Sequence, residues 1–77
     1  MQWILQDIPL GKNIRALRNQ RKMTQKQVVE QMQLMGSMIS RETLANIERG
    51  KRNIKACDLK ALKLLFQVDY DFFFEEN

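Results

Sequence analysis

Two helix starts written into one stretch of sequence limit what this chain can become. Thr24-Gln25-Lys26-Gln27-Val28-Val29 opens on a hydroxyl residue with glutamine three positions later. That is the spacing of a capping box, in which each side chain satisfies a backbone N–H that a helix start leaves unpaired. Met23 and Val28 occupy the two positions where an apolar pair staples the chain's entry into the helix. The segment from Ile39 repeats the design, with Ser40 as N-cap and Ile39 and Leu44 as the staple. Gly50 ends this second helix, and Gly36 marks the end of the first. Val28, Met32 and Met35 then form one apolar stripe on the first, read as core.

The remaining sequence continues in the same period. Leu10, Ile14, Leu17 and Arg21 recur at helical spacing and predict a helix over 11–22, its basic residues outward. Another over 56–66 buries Leu59, Leu62, Leu65 and Phe66, though Lys55 stands where Ser or Asp would cap it better. Asp69 caps a short fifth helix, with Val68 and Phe73 as its staple. Residues 1–9 form a short N-terminal arm, with Trp3, Ile4 and Leu5 in β-favouring company and Pro9 behind them. The expectation is an all-α fold: the arm at 1–9 and a compact five-helix domain at 10–77. Tyr70, Phe72, Phe73 and Phe74 exceed what one short helix covers on one side, so some face the arm or a second copy.

A chain of 77 residues is one small domain with a marginal core, which a partner copy would support. Cys57 is the only cysteine and there is no histidine. A Cys/His zinc site and a Ser-His or Cys-His catalytic pair are therefore excluded. Cys57, beside Ala56 and Leu59, reads as a buried, inert thiol, and a lone cysteine suits a reducing cytoplasm. No apolar run approaches the roughly 18 residues of a membrane span, and the first residues lack a signal peptide's basic start and cleavage site.

The formal net charge of +4 hides a division along the chain. All 13 Lys and Arg precede Asp69, whereas Asp69, Asp71, Glu75 and Glu76 close the chain without a base. Lys12, Arg15, Arg18, Arg21, Lys22 and Lys26 run without an intervening acid, and Arg49, Lys51, Arg52 and Lys55 form a second cluster. Basic clusters like these favour a polyanion on one face. Between them, the helix that follows Ser40 puts Arg41, Glu42 and Asn46 on one surface, all able to hydrogen-bond base edges. Two capped helices in this order outline a helix-turn-helix whose second helix enters a DNA major groove.

Several strings carry a resemblance over residues 10–74. They are Leu10-Gly11-Lys12-Asn13-Ile14-Arg15-Ala16-Leu17-Arg18, Met23-Thr24-Gln25, Ile47-Glu48-Arg49-Gly50-Lys51-Arg52 and Val68-Asp69-Tyr70-Asp71-Phe72-Phe73. The chain resembles the phage-repressor, or Cro/Xre-like, helix-turn-helix family. The resemblance implies a compact five-helix, repressor-like DNA-binding domain that acts as a homodimer on double-stranded DNA. It implies base reading by Arg41, Glu42, Thr43 and Asn46, and phosphate contacts by Thr24, Gln25, Arg49, Lys51, Arg52 and Asn53. It also implies a structural ion pair between Arg18 and Glu48, which takes Glu48 out of the reading face. No metal, cofactor or small-molecule ligand is expected, and no membrane partner. The chain departs from the family's usual tight turn: residues 34–38 lengthen the connection between the two capped helices.

Three function classes follow. The first is a sequence-specific DNA-binding regulator, most simply a repressor. The second is a protein-interaction module on the same fold, such as an antitoxin that neutralises a partner protein, favoured by the long turn and the aromatic tail. An enzyme is the third and weakest, because no histidine and no phosphate-cradling glycine loop is present, and Asp69 and Asp71 do not share a helix face.

Overall fold

The computed structural model describes residues 9–76. The expected arm, with Trp3, Ile4 and Leu5, lies outside the described residues apart from Pro9. Five helices follow in order: α1 Leu10–Gln20, α2 Gln25–Leu34, α3 Arg41–Glu48, α4 Ala56–Phe66 and α5 Tyr70–Phe73. No strand occurs among the described residues. The fold is all-α, as the period predicts.

The helix starts form where their side chains dictate. Gln27 N–H donates to Thr24 Oγ1 over 3.1 Å and Thr24 N–H donates to Gln27 Oε1 over 2.8 Å, completing the capping box of α2. Thr43 N–H donates to Ser40 Oγ over 3.1 Å at the start of α3. At α4 and α5, Lys55 and Asp69 hold the N-cap positions but make no side-chain cap bond. Asp69 thus shapes its turn by backbone conformation alone.

Two helix ends form on glycine as expected, and the end of α1 does not. Gly36 and Gly50 take positive φ, and the N–H groups of Ser37 and Lys51 reach back to the carbonyls of Met32 and Asn46. These are the paired return bonds of a Schellman stop. Helix α1 closes in the same way at Lys22 (φ 58°), with Met23 N–H on Arg18 O, so it ends two residues earlier than its period suggests. Met35 is the C-cap of α2 and is nearly half exposed; the buried residues of α2 are Val28, Val29 and Met32.

The core joins Leu10, Ile14 and Leu17 of α1, Val28, Val29 and Met32 of α2, Leu44 and Ile47 of α3, Leu62 and Phe66 of α4, and Phe73 of α5. Leu59 and Leu65 are only partly buried. Phe73 is fully buried, and Phe72 and Phe74 pack partly against the same core, so one copy covers more of the aromatic tail than its sequence suggests. Tyr70 stays exposed beneath Lys63, whose Nζ lies 5.4 Å from the ring centroid.

Close approach fixes how α1 meets α3. A Cβ on Gly11 would collide with the Ile47 carbonyl oxygen, so this crossing admits no side chain. Asn13 Nδ2 donates to the carbonyls of Phe73 and Glu75, both over 2.9 Å, and ties α1 to the last helix. Arg21 Nη2 donates to Phe66 O over 2.8 Å, placing a cation at the C-terminus of α4 where the helix dipole favours one.

Candidate nucleic-acid interface

Leu44, Ile47 and Glu48 are buried, which turns the opposite face of α3 outward. Glu42, Asn46 and Arg49 recur there at i, i+4 and i+7. Arg41 opens the helix, exposed, on the flank it shares with Ala45. Arg41 and Glu42 are free of ion pairs among the described residues, where the single salt bridge is Arg18–Glu48. Glu42 also lies in the first turn, where a negative charge complements the helix dipole.

Thr43 and Asn46 are more constrained. The Thr43 hydroxyl accepts from Ser40 Oγ over 2.9 Å and belongs to the cap, while its side chain lines the cleft beneath the long turn. Asn46 Oδ1 accepts from Arg49 Nη2 over 2.6 Å. This bond orients the amide and leaves its Nδ2 to donate outward.

Arg18 and Glu48 meet in a two-pronged pair, Nε to Oε2 over 2.8 Å and Nη2 to Oε1 over 3.1 Å. Gln25 Nε2 donates to the same Oε1 over 3.0 Å, and Arg18 Nη1 donates to Met23 O over 2.9 Å. The pair therefore locks α1, the start of α2 and the end of α3 together. Gln25 is part of this lock, so its contribution to any phosphate contact lies in its remaining amide N–H and in the backbone at the start of α2.

Two clefts gather the basic residues. One, of about 270 Å³, is lined by Arg15, Arg18, Gln25, Ala45, Glu48 and Arg49. The other, of about 170 Å³, sets Lys12 and the start of α1 against Arg49, Gly50, Arg52 and Asn53. Arg49 belongs to both. Lys51 and Arg52 are exposed beyond the end of α3 and Asn53 is half-buried. Thr24 stands apart from these clefts, with its hydroxyl spent on the cap of α2. Lys12 and Arg15 join the candidate site, although sequence reasoning set neither apart within its basic run. Their spacing of three on an amphipathic helix is the signal that groups them.

The helix-turn-helix domain family matches residues 11–75, nearly the whole described structure. The chain belongs to this family. Neither a curated protein nor a solved structure matches it. The match spans all five helices of the helix-turn-helix chain, including the long turn between α2 and α3. Cys57, expected to be buried, is exposed in the first turn of α4, because its neighbour Asp58 takes the inward position. No helix of the described residues is long and apolar enough to cross a membrane, and no His/Cys/Asp/Glu group among them could hold a metal ion.

Proposed function

We propose that this helix-turn-helix protein is a sequence-specific DNA-binding transcriptional regulator, most simply a cytoplasmic repressor of the phage-repressor (Cro/Xre-like) kind, which inserts α3 into the major groove. The observation that carries this reading is the outward display of Arg41, Glu42 and Asn46 from a capped helix flanked by exposed Arg49, Lys51 and Arg52. Arg can bridge guanine O6 and N7, Asn can bridge adenine N6 and N7, and Glu can accept from cytosine N4. Arg49, Lys51, Arg52 and Asn53, with Lys12 and Arg15, supply phosphate contacts that fix register without reading sequence. In this reading the protein is a binder and not an enzyme.

The same reading includes a homodimer, since a two-fold pair reads two half-sites about 34–36 Å apart. Exposed Leu64 and Tyr70 on α4 and α5 supply apolar surface for it. The deciding experiment is selection from random duplexes by gel shift, with sedimentation of the free protein alongside. A consensus with two-fold symmetry is the expected result; recovery of random sequence overturns the proposal.

A second reading has an observation of its own. Leu34 at the end of α2 and Met35 and Met38 on the long turn are exposed apolar residues, a surface suited to a protein partner such as a toxin neutralised by this fold. In the selection experiment, that reading gives no consensus.

A further inference from the structure

The two ends of α3 are held in different ways. Its C-terminal end is locked by α1, through the Gly11–Ile47 approach and the Arg18–Glu48 pair. Its N-terminal end, which carries Arg41 and Glu42 ahead of the buried Leu44, is joined to the rest of the fold by the long turn. That turn offers little apolar anchorage, because Met35, Gly36 and Met38 are exposed, as is Leu34 at the end of α2. Ile39 alone reaches the core from it.

A chain of polar bonds does the rest. Ser37 Oγ donates to Asp58 Oδ1 over 2.8 Å and accepts the Ile39 N–H over 3.1 Å. Gln33 Nε2 donates to Ile39 O over 3.1 Å, so both backbone groups of Ile39 are held. Asp58 sits in the first turn of α4 and is nine-tenths buried. A buried carboxylate is costly unless it is hydrogen-bonded, and the short bond here is the one from Ser37, with Cys57 Sγ at a longer 3.9 Å from the same oxygen.

We infer that Asp58, acting through Ser37, is a positioning residue that sets the tilt of the recognition helix and so its base preference. The inference rests on the DNA-reading proposal above. From Ile47 to Arg41 the helix runs about 9 Å. A tilt of about 10° over that lever moves the Arg41 end by about 1.5 Å, while useful hydrogen bonds span only about 2.7 to 3.2 Å. Phosphate contacts beyond the far end of α3 are hardly moved by the same tilt. Loss of the strut therefore separates sequence reading from overall DNA affinity.

The test measures binding to the selected duplex and to a scrambled duplex, with salt dependence, for Ser37→Ala, Asp58→Ala and Asp58→Asn. Asp58→Asn keeps an acceptor for Ser37 but loses the charge at the start of α4, whereas Ser37→Ala keeps the charge and loses the bond. Ser37→Ala and Asp58→Ala are expected to lower the ratio of selected to scrambled binding about tenfold, with unchanged salt slopes and faster exchange of the Ile39 amide. Asp58→Asn is expected to retain most of the ratio. An unchanged ratio in both alanine variants overturns the inference, as does an Asp58→Asn protein as impaired as Asp58→Ala. A wild type that selects no consensus removes the DNA-reading proposal itself, and this inference with it.

Discussion

Arg18 meets Glu48 side-on, Nε to Oε2 and Nη2 to Oε1, with side chains only 12% and 3% exposed. At that depth the attraction is little screened, and either partner left alone is a charge without compensation. Replacing one by Ala is expected to cost about 3–5 kcal/mol. The double Ala variant is expected to lose less than the sum of the singles, since it strands no charge. Urea unfolding of the four proteins of the cycle measures this directly. Strict additivity would show that the pair does not act as a unit.

Glycine matters here for two separate reasons. Gly36 and Gly50 have open space around a would-be Cβ but positive φ, so Ala is expected to cost about 1–2 kcal/mol at each. Gly11 has the opposite problem, because its Cβ would meet the Ile47 carbonyl oxygen, which cannot rotate out of the way. Gly11→Ala is expected to cost at least about 3 kcal/mol, the upper end for overpacking. Urea midpoints rank the three. A Gly11→Ala protein no weaker than Gly50→Ala would mean that α1 and α3 stand further apart.

Asn13 gives both amide hydrogens to the C-terminal segment. Asn13→Ala leaves the Phe73 and Glu75 carbonyls without these donors, at an expected cost of about 1–3 kcal/mol. Asn13→Asp is expected to be worse, since a carboxylate would face two carbonyl oxygens. Hydrogen exchange supplies the local reading: the amides of α5 speed up first in both variants. Equal protection of α5 in wild type and Asn13→Ala would place the tether elsewhere.

How much of this is legible in the sequence depends on the distance between partners along the chain. The caps at Thr24 and Ser40 and the stops at Gly36 and Gly50 are local chemistry, complete within a few residues, and the helices start and end on them. The stop of α1 at Lys22 is not legible, because a lysine in the left-handed region carries no glycine signal. Periodicity puts Met35 inside, but the helix ends one residue before it. Cys57, expected inside, is exposed, and Asp58 beside it is buried, bonded to Ser37, 21 residues away. Asn13 finds its partners 60 and 62 residues away. Such pairings are set by tertiary packing, and one sequence carries no mark of them.

The reading helix and the basic clusters are expected to fail in different ways when altered, which makes the proposed function testable residue by residue. Arg41 is exposed at the first position of α3, in the part of the helix that would meet base edges. Arg41→Ala is expected to cost about 1–3 kcal/mol on the selected duplex and to relax preference at one base position. Asn46→Ala is expected to do the same at a second position, and to release Arg49 from its bond to Asn46. Lys51 is exposed beyond Gly50, past the last turn of that helix. Its replacement by Ala is expected to weaken all duplexes about equally. It should also lower the salt slope by about 0.9, because one phosphate fewer is neutralised. Binding titrations of these variants at several salt concentrations separate the two behaviours. If Arg41→Ala kept the wild-type consensus and affinity, α3 would not be the reading element. A loss confined to one sequence for Lys51→Ala would instead move that lysine from phosphate to base.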